Sequence, residues 1–389
     1  MRTFECDTGI IEAIAETARS RPEQSFYLLH EARLRARARL LVDLFLPGYE
    51  QRRVAYAVKA NPTPRILDIL LEEGITAFDC ASLREIELVR QLDVAAEILF
   101  NNPIKKRGDI RRAQRLGVRH YTVQSTSEFA KLRDCVGDAP TEVAVRLAVA
   151  NPHAVIDLSE KFGAPPARFR SLLAEVAAHA PAAAGLSFHV GSQCRDLRAF
   201  ADAARLAGEL ADGVSVPLAF ANVGGGLPVN YAPDDRYRIE DYFAAINRAV
   251  ADHLLPRLRD GGKVIVEPGR ALVADSVYLA VPVLGVEGRA RRRVYIDDGI
   301  WTSFINVALF RWPFRFDVVG RDLRPLREET APAVLYGRTC DSTDRIGEVG
   351  LPEDLAEGDL IVFHDFGAYR GALATSFNGF EPPRYVSLP

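Results

Sequence analysis

Tyr56-Ala57-Val58-Lys59-Ala60-Asn61-Pro62 is an apolar, strand-like run that carries one lysine at its end and is stopped by Asn-Pro. Proline has no backbone donor and biases the residue before it away from helix, so a strand entering this stretch must finish there. An ammonium is strongly hydrated. A lysine held among Tyr56, Val58 and backbone is therefore expected to have a lowered pKa and to be available for Schiff-base chemistry with a carbonyl. The same position also reads as a solvated surface lysine at a strand end.

Outward from this stretch, from about residue 31 to 272, short β-branched or aromatic runs alternate with Ala- and Arg-rich amphipathic stretches. That alternation is the pattern of strand-helix units and not of hairpins. Eight strands are predicted near Val54–Val58, Thr76–Asp79, Glu97–Phe100, Arg119–Val123, Glu142–Ala148, Gly185–Val190, Leu218–Val223 and Lys263–Glu267. Eight successive units make a (β/α)8 barrel, whose chemistry sits at the C-terminal ends of its strands. After Arg270 the pattern changes to longer strands, Val277–Val286, Arg293–Asp297, Ala333–Tyr336 and Leu360–Phe363, separated by Gly/Pro/Asp turns. This predicts a separate β-domain.

Three further segments fall at or just after predicted strand ends. Phe188-His189-Val190-Gly191-Ser192 offers a ring face and a hydroxyl, and Val223-Gly224-Gly225-Gly226 gives a backbone that can approach a phosphate closely. Glu267-Pro268-Gly269-Arg270 supplies a carboxylate and a guanidinium. A glycine triplet also reads as a plain turn, and a histidine beside a strand as a satisfied core residue.

In this order and spacing the segments resemble the fold-type III pyridoxal-phosphate decarboxylases, the ornithine, lysine and diaminopimelate group. The resemblance runs nearly the whole chain and includes Phe78-Asp79-Cys80-Ala81-Ser82, Lys161-Phe162-Gly163-Ala164, Thr339-Cys340-Asp341-Ser342, Gly367-Ala368-Tyr369 and Phe377-Asn378-Gly379-Phe380. The last three match the ornithine decarboxylase-like branch. The resemblance implies an alanine-racemase-type barrel over 31–272 and a C-terminal β-domain over 273–389, completed by a strand from the N-terminal segment 1–30. It implies that Lys59 binds pyridoxal 5′-phosphate as an imine, that Glu267 keeps the pyridine nitrogen protonated, and that His189 stacks on the ring with Asp79 and Arg146 in the surrounding network. Ser192, Gly224, Gly225, Gly226, Gly269, Arg270 and Tyr369 would hold the phosphate. Cys340 would protonate Cα after carbon dioxide leaves, reaching across a twofold axis, so a homodimer with shared sites is implied.

Bulk chemistry is that of an ordinary globular chain: 389 residues, formal charge −3 and 26% charged residues. Arg291-Arg292-Arg293, the densest basic run, reads as a solvated turn, and no nucleic-acid partner is implied. The acidic amino terminus does not read as a signal peptide and no apolar run reaches membrane-spanning length, so a cytoplasmic location is expected. Five cysteines at 6, 80, 135, 194 and 340 form no metal or disulfide pattern, so no metal is expected and the thiols are expected reduced.

The chain departs from its relatives between Ile300 and Pro313. This segment, which follows Asp298-Gly299, holds no carboxylate where ornithine decarboxylases place an acidic residue against the distal ammonium; the expected aspartate falls near Val307. An unpaired buried ammonium would be costly. The leading expectation is therefore a substrate with a polar, acidic or acylated distal group, such as a citryl-diaminopropionate-like siderophore precursor, met by Arg311, Trp301 and Asp341. Ornithine or lysine decarboxylation in polyamine synthesis, using Asp341 alone, is one alternative. A non-catalytic regulatory homologue is another. Racemisation would call for a catalytic tyrosine opposite the lysine, whereas the chain has the Cys340-Asp341 segment.

Overall fold

The computed structural model describes residues 7–21, 23–180, 182–214, 216–288 and 291–389. Cys6 and the rest of the amino terminus read for a leader lie outside the described residues. The chain divides into two compact units. One comprises the described chain up to Leu34 with Asn230–Asp235 and Val273–Pro389; the other comprises Arg35–Val229 and Arg236–Leu272.

The second unit is a closed barrel of eight parallel strands, Arg52–Ala57, Ala77–Cys80, Glu97–Phe100, His120–Val123, Glu142–Arg146, Ala184–Ser187, Leu218–Asn222 and Leu258–Val266. Neighbours in sequence are neighbours in the barrel, and the last strand closes onto the first through Val264 to Val266 against Arg52 to Val54. Alanines and two larger aliphatics from several strands pack around one large ring in its core: Ala55, Ala77, Leu99, Ala144, Ala219 and Ile265 with Phe220. The helices between strands begin where local chemistry dictates. Ser82 and Glu85 form a capping box at Leu83–Leu92, the serine oxygen accepting from the Glu85 amide and the Glu85 carboxylate from the Ala81 amide at 2.6 Å. Pro64 opens Pro64–Glu72 at its first turn, where its missing donor costs nothing.

Strand ends differ from the sequence reading in ways that matter for the site. The sixth barrel strand stops at Ser187, so Phe188 and His189 lie beyond it, and Ser192–Cys194 pairs antiparallel with Ala154–Ile156 in a small outer ribbon. Glu267 likewise lies just past the eighth strand.

The first unit contains an eight-stranded sheet. Phe26–His30 pairs antiparallel with Val277–Glu287 and parallel with Arg384–Leu388, so a strand from the N-terminal segment completes the C-terminal β-domain. Three strands escaped the sequence reading: Phe316–Val319, Arg345–Pro352 and Arg384–Leu388. Phe316–Val319 and Arg384–Leu388 pair with strands distant in sequence, whereas Arg345–Pro352 pairs antiparallel with the strand before it, Thr330–Tyr336. The basic run at 291–293 is also corrected, for Arg292 and Arg293 lie in the strand Arg292–Ile296. Arg292 is buried, and its Nη1 donates to the carbonyls of Leu351 and Pro352, which offsets part of the cost of taking a guanidinium out of water.

Candidate active site

Lys59 sits in a short 3-10 turn, Val58–Ala60, immediately after the first barrel strand. Its ammonium does not rest among apolar groups as expected. It pairs with Asp79 Oδ2 at 2.7 Å, its side chain 40% exposed against 1% for the aspartate. The buried carboxylate needs a cation, and the second strand delivers it to the neighbouring mouth position. The other Asp79 oxygen, Oδ1, is buried without a hydrogen-bond partner among the described residues.

Glu267 is buried, and its Oε1 accepts from two amides, Asn222 Nδ2 at 2.5 Å and Asn101 Nδ2. Burial first, then Asp79, push this carboxyl up to about 7, while Lys59, the Asn222 hydrogen bond and Arg146 oppose the rise. Arg146 ends the fifth strand, stacks over Phe162 at 5.2 Å, and is itself pulled down by burial against the favourable fields of Glu267 and Asp79. His189 is held well below its ordinary value by burial and by the cations Arg146 and Lys59, so its ring is neutral. Its Nδ1 accepts from the Gly191 amide at 3.0 Å, which leaves the proton on Nε2.

The glycine triplet closes around these groups. A Cβ on Gly225 would lie 2.3 Å from the Glu267 carbonyl oxygen, and one on Gly226, where φ is +105°, would lie 2.2 Å from the Gly191 oxygen. Only a residue without a side chain fits so near. The Gly224 amide is used by Asn222 Oδ1 at 2.9 Å, whereas the Gly225 and Gly226 amides donate to no acceptor among the described residues. Arg270 reaches Ser192 Oγ at 3.4 Å, and Gly269 accepts from the Leu272 amide at the start of the same turn. A phosphorylated aldehyde of pyridine fits this donor set: a lysine amine, a buried carboxylate, a neutral imidazole, two open amides and a guanidinium beside a hydroxyl.

The remaining expected residues belong to the β-rich unit. Asp341 accepts from the Thr343 amide at 2.8 Å and from Trp301 Nε1 at 3.1 Å, contacts that lower its pKa, the amide foremost. Cys340 is exposed, and its amide donates to Asn378 Oδ1 at 3.1 Å. Tyr369 has left-handed backbone, φ 56°, and its carbonyl accepts from Asn306 at 2.6 Å. Arg311 is an exposed left-handed residue ending the helix Ile305–Phe310, and Val307 on that helix is buried.

Sequence reasoning missed the residues that hold these loops. Asp344 accepts from the Ile300 amide at 2.8 Å and from the Thr339 amide and hydroxyl, tying the Trp301 loop to the Cys340 loop. Asp298, fully buried, accepts from the Gly299 and Ser303 amides and from the Thr302 and Ser303 hydroxyls. In the barrel the missed residues are Asn101, Asn222 and Thr122; only the Asn-Pro and glycine landmarks nearby could have pointed to them.

Fold and site together define a barrel enzyme equipped for an aldehyde-bearing phosphorylated cofactor. Comparison with known proteins gives the family. The pyridoxal-binding domain of the pyridoxal-dependent decarboxylases matches residues 32–274, and the chain belongs to that family. It is 33% identical over 332 residues to the lysine/ornithine decarboxylase of Selenomonas ruminantium, covering 84% of this chain and 81% of that one. It is 34% identical over 348 residues to the ornithine decarboxylase of Mus musculus, covering 84% and 73%. The crystal structure of the Paramecium bursaria Chlorella virus arginine decarboxylase bound to agmatine superposes with a TM-score of 0.86 at 28% identity, covering 98% of this chain and 100% of that one. The chain is a pyridoxal-phosphate-dependent amino-acid decarboxylase of the ornithine decarboxylase-like branch.

Proposed function

We propose that this enzyme decarboxylates a basic amino acid of the ornithine and lysine class, and that it does so as a homodimer with shared sites. When bound, pyridoxal 5′-phosphate supplies an aldehyde for the substrate amine and a ring that accepts the electrons of the broken Cα–carboxylate bond. Lys59 would hold the cofactor's aldehyde carbon through its amine. Glu267 keeps a proton at the ring nitrogen, neutral His189 covers the ring face, and Asp79 and Arg146 set the field around them. Ser192, Gly224 to Gly226, Gly269 and Arg270 would hold the phosphate, a role that the family resemblance also gives to Tyr369.

The observation that carries the substrate reading is Asp341. Its carboxylate is kept ionised by an amide and an indole N–H on the loop that also bears Cys340, as an acceptor for a distal ammonium must be. The acidic or acylated substrate drawn from the Ile300–Pro313 segment yields to this reading. The relatives are named for lysine, ornithine and arginine, and Val307, where the missing aspartate was expected, is buried in its own unit, so a carboxylate there would be desolvated. A panel of ornithine, lysine, arginine and acylated diamino acids, read by carbon dioxide release, should favour the free diamino acids. Asp341→Asn should lower kcat/KM for them roughly ten- to a hundredfold while leaving norvaline nearly unchanged. Equal losses on norvaline and ornithine would remove Asp341 from substrate recognition.

Cys340, from a second copy, would deliver the proton to Cα. Exposed apolar side chains in the same unit, Leu309 at 65% and Phe377 at 40%, favour a partner surface. Inactive Lys59→Ala and Cys340→Ala chains, mixed and allowed to exchange, should regain about a quarter of wild-type activity, because half the dimers are mixed and each mixed dimer has one intact site. No recovery after proven exchange would put both residues in one chain's site.

A further inference from the structure

We infer that Asn101 is a positioning residue for Glu267, acting with Thr122 to saturate one carboxylate oxygen so that the other is the one left to hold a ring-nitrogen proton. This rests on the reading that Glu267 serves the ring nitrogen. Asn101 directly follows the third barrel strand, and Asn222 ends the seventh. From these separate strands both side-chain nitrogens converge on Glu267 Oε1.

Each amide is oriented by a donor on its own oxygen. Thr122 Oγ1 donates to Asn101 Oδ1 at 2.7 Å, and the Gly224 amide donates to Asn222 Oδ1 at 2.9 Å. With their oxygens engaged, both side chains present only N–H groups to the carboxylate. Thr122 is anchored in turn, since its carbonyl accepts from the buried Lys105 ammonium, which lies over the Phe100 ring at 5.4 Å. The arrangement is a chain from Lys105 through Thr122 and Asn101 to Oε1, and it selects one carboxylate oxygen. A carboxylate merely buried for stability has no need of two donors on the same oxygen; one donor on each would satisfy it equally well.

The charged groups acting on Glu267 come from other strands. Asp79 favours its protonated form, and Lys59 and Arg146 favour its ionised form. Asn101 adds to the latter by hydrogen bonding to the ionised oxygen, which helps keep the carboxylate an acceptor at neutral pH.

The test is the dissociation constant of added cofactor, measured by absorbance on protein stripped of it. Two probes are used: pyridoxal 5′-phosphate and its deaza analogue, in which the ring nitrogen is replaced by CH. Asn101→Ala should weaken binding of pyridoxal 5′-phosphate roughly ten- to a hundredfold, the scale of a hydrogen bond to a charged group, and should leave the analogue within about twofold of wild type by the same scale. Thr122→Val, which frees the Asn101 amide to turn, should show the same selective loss at smaller size, and it carries the test if Asn101→Ala does not fold.

Equal losses on both probes would make Asn101 a purely structural residue and overturn the proposal. Glu267→Gln is the control for the underlying reading. If it too fails to separate the two probes, the ring-nitrogen role of Glu267 has failed. If it separates them and the Asn101 and Thr122 variants do not, only the present proposal falls.

Discussion

Lys59→Ala protein should emerge without the visible absorbance of bound cofactor and with decarboxylation reduced roughly 10³-fold or more. That is the scale of losing the covalent anchor of the reacting group. The loss has a second component, because removing the ammonium leaves Asp79, 1% exposed, without its cation at 2.7 Å. Lys59→Arg separates the two. It keeps a positive charge against Asp79 and cannot form the same bond to an aldehyde, so it should retain most of the thermal stability and none of the absorbance. Full activity in Lys59→Ala would refute the site assignment.

The second large effect is on stability and depends on pH. Glu267 has an ordinary value of 4.5 and is pushed up to about 7 in the fold, first by burial and then by Asp79. A raised carboxyl binds its proton more tightly when folded than when unfolded, so its contribution is fully present below about 4.5 and is lost as pH rises through about 7. The shift corresponds to on the order of 3 kcal/mol. Cofactor-free protein should therefore grow less stable to urea across this window. Glu267→Gln, which cannot ionise, should flatten that part of the profile and be the more stable protein at the alkaline end. A profile that is the same in both proteins would mean that Glu267 ionises in the fold as readily as in water.

Both effects concern residues that were legible before any tertiary contact was known, though for different reasons. Lys59 and Glu267 each end an apolar run that proline stops, Pro62 three residues on and Pro268 directly, which marks the strand ends, while their roles come from the resemblance of the surrounding motifs to the family. The barrel was legible in the same way, because each strand-helix unit carries its own period and its own cap, as at Ser82 and Glu85. The substrate end was less so. The missing carboxylate between Ile300 and Pro313 was real, but what it implied depended on where Val307 points, and Val307 is buried.

Sequence alone thus determined the eight-strand barrel and the change to a β-rich unit after it, since these follow from patterns within a few residues, while its motifs in their order and spacing pointed to the family. Only the tertiary structure decided how those groups are held. Lys59 meets Asp79 across 20 residues, Asn222 meets Glu267 across 45, and Asn101 meets Glu267 across 166. A carboxylate's ionisation and an amide's direction depend on which strands lie side by side after the barrel closes, and on the water excluded when it does. Local periodicity carries no record of either.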